Sequence, residues 1–432
     1  MAKSLANYPE SYYAASATLP PAAPPLRGSA TTDVCVVGGG YSGCSAALSL
    51  AERGYRVAVL EAERVAWGAS GRNGGQALAG VACGQPKIEK LLGVAAARAV
   101  WEVSIEGQKL LRHRIARHAI DCDWVDGHLQ VADKPRQVVE LAQAQEELQS
   151  LGYPATQFLG REELGAVLAT SRYLAGLYDP HSGHLHPLRY ALGLARAASD
   201  AGAVFHEHTR ALDFSVTALG VRVRTDAQGT AGELNCRHLL LAGNLQAGRL
   251  APRLARKIMP VGSFIIATEP LGASRARALI ANNAAVADLN WIIDYYRRSA
   301  DHRLLFGGRV SYSGPGGFEA VPATRARMLR VFPQLTGTRI DYHWGGMIDI
   351  TMNRAPHFGR LHPNVWFLQG FSGHGVALSG MAGVLAAEAI AGVSERFDLF
   401  ARIPHRDFPG GALLRRPVLV LAMLWFRLRD LL

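Results

Sequence analysis

The residues best placed to do chemistry are glycines. Gly38, Gly40 and Gly43 form a G-x-G-x-x-G motif inside "DVCVVGGGYSGCSAALSLAERGYRVAVLEAE" (33–63). An apolar run, Val34–Val37, precedes the motif, and a helical pattern from Ser42 to Arg53 follows it. A second short apolar run, Val57–Leu60, closes a predicted strand–helix–strand unit. In that setting each glycine has a purpose. Gly38 permits the tight turn. Gly40 lets the backbone approach a pyrophosphate at the positive end of the helix. Gly43 lets helix and strand pack closely. Tyr41 and Ser42 open the helix, and Glu61 and Ala62 end the second strand. The Glu61 carboxylate can accept hydrogen bonds from a ribose diol.

Two further Gly-rich stretches extend the candidate site. In "GASGRNGGQ" (68–76), Gly71, Gly74 and Gly75 are expected to leave room for a ring and a pyrophosphate. Ser70, Asn73 and Gln76 offer hydrogen bonds there. Arg72 is expected to anchor the cofactor or the loop, with a substrate carboxylate as the competing partner. In "GFSGHGVALSG" (370–380), Gly370, Gly373, Gly375 and Val376 open another helix and offer backbone N–H groups and a helix dipole. His374 has three open roles: support of the cofactor, contact with substrate, or a bond to nearby backbone. A flavin dinucleotide suits these remote loops better than NAD, because its long ring system must be reached from segments far from the first unit.

The surrounding elements set the fold class. Helical patterns cover 86–120 and 134–150, and "GHLQVAD" (127–133) alternates as a half-buried strand. A helix, Gly202 and a strand follow at 186–208, and "HLLLAGN" (238–244) is a strand ending at Gly243. "SFIIATEP" (263–270), "WIIDYYR" (291–297) and "RLLFGGRV" (303–310) read as a second sheet. "NVWFLQGFSGHGV" (364–376) again reads strand, turn, helix start. The expected architecture is α/β: a discontinuous Rossmann-like domain with a β-rich substrate domain inserted twice. The expected cofactor domain comprises 31–85, 186–250 and 341–400, and the substrate domain 86–185 and 251–340. A lead (1–30) and an apolar helical tail (401–432) flank them.

Composition narrows the function classes. The chain has 432 residues, 49% hydrophobic and 19% charged, which is globular and large enough for two domains. A net charge of +11 is spread over scattered Lys and Arg. No basic stripe or nucleic-acid motif accompanies it, so no nucleic-acid partner is expected. Five dispersed Cys without a C-x-x-C argue against zinc and a disulfide framework and fit a reduced, cytoplasmic setting. No metal is expected. The apolar run within 412–432 is too short for a membrane span, and packing on its own protein is favoured over membrane contact.

Together, "DVCVVGGGYSGCSAALSLAERGY", "GASGRNGGQ", "IDCDW", "SGHLHPLRYALG", "IDYYR", "RLLFGGRV" and "GFSGHGV" resemble FAD-dependent amine oxidases of the D-amino-acid oxidase/sarcosine oxidase/glycine oxidase superfamily. The resemblance runs over nearly the whole chain. It implies that Gly38–Gly43 holds the FAD pyrophosphate, that Glu61 holds the adenosine ribose, that Ser70–Gln76 runs under the flavin, and that Gly370–Val376 touches the ring. Some sarcosine oxidases hold FAD through a Cys in a later loop. Here the last Cys is Cys236, so non-covalent FAD is expected. The active-site Lys of some sarcosine oxidases has no obvious counterpart either.

The resemblance also implies the reaction. A neutral amine gives a hydride from its α-carbon to flavin N5, the imine hydrolyses, and O₂ is reduced to H₂O₂. Aromatic walls suit this, because they desolvate an ammonium and lower its pKa. Tyr295, Tyr296 and Trp344 are the candidates, with Tyr296, Trp344 and His374 as the catalytic set. Asp349, Asn353 and Arg309 are candidates for polar contacts with substrate. The resemblance is strongest to bacterial polyamine-oxidising members, which makes a gamma-glutamyl derivative of putrescine or a related polyamine the leading substrate. The alternatives are an amino or imino acid such as sarcosine or L-pipecolate, clamped by Arg72, Arg297 or Arg309, a dehydrogenase feeding a quinone, and an idle FAD scaffold.

Overall fold

The computed structural model describes residues 8–311 and 320–409, together with Pro417 and Trp425. The expected tail at 412–432 lies otherwise outside the described residues.

The first sheet grows from the predicted unit. Strand Gly28–Val37 pairs in parallel with Val57–Leu60 on one side and Thr230–Leu241 on the other. Val204–His206 extends it in parallel at one end; on the other side Val365–Gln369 pairs in parallel with Thr230–Leu241, and His357–His362 closes the edge antiparallel. The strand Val57–Leu60 is buried throughout, which is why it reads as a continuous apolar run. Helix Tyr41–Ala51 is also buried along its whole length. It packs against Leu378–Ile390, and small residues set how closely the two meet. A Cβ on Gly383 would stand 2.5 Å from the Ser42 carbonyl oxygen.

The second sheet runs in the order Ile340–Thr351, Ile258–Thr268, Leu304–Ser311, Tyr295–Arg298, Ala285–Asp288, Val125–Ala132, Ala175–His184 and Gln76–Ala77. Its last strand is the exit of "GASGRNGGQ". That loop is therefore stretched between the two sheets.

Three expected boundaries shift. The strand Ile340–Thr351 pairs along its length with Ile258–Thr268, so it belongs to the second sheet and not to the cofactor unit. The helix Val94–Arg117 packs on the cofactor unit. Its buried Arg114 donates to Ser45 Oγ at 2.6 Å and Ser49 Oγ at 3.0 Å. The lead is no loose arm either. Tyr12 and Tyr13 in the helix Tyr12–Ser16 are buried in the main core, and the first strand already starts at Gly28. Each such fully buried large apolar side chain contributes about 1.5–3 kcal/mol. Polar lead residues hid two anchoring tyrosines.

Candidate active site

The G-x-G-x-x-G turn has the geometry of a phosphate cradle. Gly38 adopts φ +111°, and a Cβ there would stand 2.7 Å from the Ala242 oxygen and 2.8 Å from Gly243 Cα. Gly243 thus belongs to the cradle by close approach. A Cβ on Gly43 would stand 1.9 Å from the Gly38 oxygen. Gly40 is the N-cap of helix Tyr41–Ala51 and has no side chain to cap it. Ser70 Oγ accepts the Tyr41 N–H at 3.0 Å, while the buried Ser42 and Gly43 continue the first turn. A helix start whose glycine N-cap brings no side chain of its own fits an anionic pyrophosphate.

Glu61 stands beside this turn. Its carboxylate accepts from Gly39 N–H at 2.8 Å and Glu63 N–H at 2.9 Å. Burial pushes its pKa up, with the two amide bonds opposing. Ala62 occupies the bend that follows. The residues present therefore fit FAD: a phosphate cradle, a carboxylate for a ribose and two Gly-rich loops. Among the described residues Cys35, Cys44, Cys122 and Cys236 are buried and Cys83 is partly so.

The glycines of "GASGRNGGQ" answer to protein rather than to a ring. A Cβ on Gly71 would stand 2.3 Å from the Ala66 oxygen, on Gly74 2.8 Å from the Tyr295 ring, and on Gly75 2.2 Å from the Leu185 oxygen. The expectation that these three positions leave room for a cofactor is thus corrected: the chain itself fills that space. Asn73 staples the loop. Its Nδ2 donates to the Ala69 and Ser70 oxygens at 3.0 Å each, and its Oδ1 accepts from Gly75 N–H at 2.8 Å. Gln76 donates to the Val286 oxygen at 3.0 Å, which ties the loop exit to the second sheet.

Arg72 anchors the loop. Nε donates to the Trp67 oxygen at 2.7 Å, and the guanidinium lies 4.0 Å from the Trp67 ring centroid. Nη1 reaches the Gly345 oxygen at 3.4 Å. Nη2 is buried and unpartnered, which leaves one donor for a cofactor group. Burial lowers the Arg72 pKa to about 10. In Arg297 each nitrogen has a partner: it donates to the Gly74 oxygen at 2.8 Å, the Arg298 oxygen at 3.2 Å and Tyr13 Oη at 3.1 Å.

Several expected substrate contacts are corrected. Tyr296 is 1% exposed and stacks on Phe306 in the core of the second unit. Side chains alternate along a strand, so its neighbour Tyr295 is the one that faces the loop, against Gly74, with its hydroxyl 3.0 Å from Ser263 Oγ. Trp344 is 4% exposed, donates Nε1–H to the Arg72 oxygen at 3.0 Å, and braces the loop from behind. Asp349 is buried and accepts from Gly370 N–H, and its own carbonyl oxygen accepts from Ser372 N–H at 3.0 Å. It shapes the second Gly-rich turn, and burial pushes its pKa up to about 7. Asn353 donates to the Pro404 oxygen at 2.9 Å and caps its own turn through Ala355 N–H. Arg309 pairs through its backbone with Phe264, and its side chain lies outside the described residues.

His374 joins the two loops. Its Nε2 lies 2.7 Å from the Ala79 oxygen. A carbonyl only accepts, so Nε2 carries the proton. Burial lowers its pKa, so the ring is neutral at neutral pH. Around it the turn is set by Gly370 and Gly373, both in left-handed conformations, by Gly375 against Phe371, and by the buried Val376.

His374 and Ala79 also line a cavity of about 270 Å³. Its other walls come from the second sheet and from helices Val94–Arg117 and Pro135–Ser150, and include Trp101, His128, Gln130, Tyr153 and Asp179. These residues were not singled out from sequence. A signal existed: in the strand Val125–Ala132, Leu129 and Val131 enter the core, so His128 and Gln130 must face the other way.

The chain matches the model of the FAD dependent oxidoreductase family named DAO over residues 33–389. It belongs to that family. Over 427 residues it is 41% identical to gamma-glutamylputrescine oxidoreductase of Escherichia coli (strain K12), covering 99% of each chain. The crystal structure of glycine oxidase from Geobacillus kaustophilus has a TM-score of 0.69 at 22% identity, covering 84% of this chain and 95% of that one. That of L-proline dehydrogenase from P. horikoshii has a TM-score of 0.69 at 20% identity, covering 88% and 100%. The family makes the chain an FAD-dependent oxidoreductase. Among the described residues no single helix is long and apolar enough to cross a membrane.

Proposed function

We propose that the protein oxidises gamma-glutamylputrescine or a closely similar acylated diamine, releases an aldehyde after imine hydrolysis, and delivers the electrons to O₂. The observation that carries this reading is the 41% identity to gamma-glutamylputrescine oxidoreductase across 99% of both chains. No Lys or Arg is among the cavity's lining residues, so a substrate ammonium meets no like charge there, and a substrate carboxylate has to be met by neutral donors.

Bound FAD supplies the hydride acceptor and the route to O₂. The chain's own residues hold and position. Gly38, Gly40, Gly43 and the helix start at Tyr41 would hold the pyrophosphate, Glu61 the ribose, and Arg72 Nη2 a further polar group. Neutral His374 keeps the second turn against Ala79 and adds no positive charge to the cavity. Trp101 and Tyr153 give the cavity aromatic walls that narrow it and exclude water. The test is a peroxide assay in air with gamma-glutamylputrescine, putrescine, sarcosine, glycine and L-pipecolate. Peroxide with gamma-glutamylputrescine in clear excess supports the reading; peroxide only with the amino acids overturns it.

A further inference from the structure

The cavity is polarised. Two carboxylates, Asp179 and Glu147, line it. Among the described residues neither forms a salt bridge, in a chain where Arg pairs with acid at many surface points. Asp179 is held by neutral donors alone. Tyr153 Oη donates to it at 2.9 Å, His181 N–H at 2.9 Å and Ser182 Oγ at 2.5 Å. Ser182 is in turn fixed by Gln108 at 2.9 Å. The Trp101 ring stands edge-on to Tyr153 at 5.6 Å between centroids. Beside them, His128 is 5% exposed, and its Nε2 has no partner. A buried unpaired imidazole nitrogen calls for a polar ligand atom.

A chain of contacts joins this corner to the Gly-rich loops. His374 meets Ala79, the next residue Gly80 lies against Trp101 at 3.4 Å from its would-be Cβ, Trp101 meets Tyr153, and Tyr153 meets Asp179. His128 feels the charge of both Asp179 and His374, so it stands between this corner and the second Gly-rich turn.

We propose that Asp179, backed by Glu147 and walled by Trp101 and Tyr153, binds a second, unreacting ammonium group of the substrate. An ammonium beside a carboxylate and two aromatic rings gains both a charge-assisted hydrogen bond and cation–π attraction. The unpaired His128 nitrogen takes a polar atom next to that ammonium. The enzyme therefore selects long amines that carry a positive charge at the end remote from the oxidised carbon. In gamma-glutamylputrescine that charge is the α-ammonium of the glutamyl group. This inference rests on the substrate reading above and deepens it.

The test compares gamma-glutamylputrescine with N-glutarylputrescine, which lacks only the α-ammonium. The holoenzyme is expected to show kcat/KM at least about tenfold higher for the first, carried mainly by KM, since one charge-assisted contact is of that order. In Asp179→Asn that preference is expected to fall to within about threefold. Glu147→Gln, on the helix Pro135–Ser150, is expected to lower it partly and decides the matter if Asp179→Asn does not fold. A preference that survives intact in both variants, or in Glu147→Gln when Asp179→Asn is unfolded, overturns the inference while leaving the substrate reading in place. If the wild-type enzyme oxidises neither compound, the substrate reading itself fails and the inference with it.

Discussion

His374 Nε2 lies 2.7 Å from the Ala79 carbonyl oxygen, and this bond joins the Gly-rich turn near the C-terminus to the chain leaving the first Gly-rich loop. The two residues are far apart in sequence, yet they share one wall of the cavity. His374→Ala removes a partly buried donor from a partly buried acceptor, a change that costs about 1 kcal/mol. The variant is expected to show a lower melting temperature and a weaker hold on FAD, read as the flavin-to-protein absorbance ratio after gel filtration. His374→Asn, which restores a donor, is expected to recover part of both.

Arg72 is a loop anchor with one spare donor. Arg72→Ala loses the Trp67 and Gly345 carbonyl contacts and the stacking on Trp67. FAD retention is expected to fall by about tenfold or more, since several charge-assisted contacts go at once. A variant with full flavin content and only a raised KM would place Arg72 at the substrate instead.

Gly43→Ala tests the cradle. Its Cβ would stand 1.9 Å from the Gly38 oxygen, so helix and turn must part. The protein is expected to purify without flavin and to regain none on incubation with excess FAD. Gly54 supplies the control: its φ is +84°, but no atom stands within 4 Å of its would-be Cβ. Gly54→Ala therefore carries only local backbone strain of about 1 kcal/mol and is expected to keep its flavin.

Asp349 gives a pH-dependent signature. Burial raises its folded pKa to about 7, against an ordinary value of 3.8. A raised folded pKa means that the folded state holds the proton more tightly. The stability this provides is complete below about pH 4 and is lost as pH rises through about 7. Asp349→Asn does not titrate. Its melting temperature relative to wild type is therefore expected to rise between pH 4 and 8, by up to about 4 kcal/mol in stability. A difference that stays flat with pH would show that Asp349 is already ionised in the fold at low pH.

The first strand–helix–strand unit was legible because its signals are local. Four apolar residues at Val57–Leu60 form the observed strand with the same bounds, and the glycine spacing needs no distant partner to be read. Other features depended on what lies opposite. Tyr295 and Tyr296 are adjacent and chemically alike, and only the sheet decides which faces the loop and which enters the core. Gly71, Gly74 and Gly75 announced a close approach, but Ala66, Tyr295 and Leu185 are the neighbours, and no spacing reveals them. Asn353 carried a polar side chain that its own turn consumes. The acidic corner went unread because Trp101 on a helix, Tyr153 in a loop and Asp179 on a strand are brought together only by folding.

Anaerobic mixing of the purified protein with gamma-glutamylputrescine tests the central claim most directly. Oxidation of the amine C–N bond by bound FAD is expected to bleach the flavin absorbance near 450 nm, and admitting air is expected to restore it with release of H₂O₂. A protein that carries flavin but stays yellow with this compound, and bleaches only with glycine, sarcosine or L-pipecolate, would contradict the account.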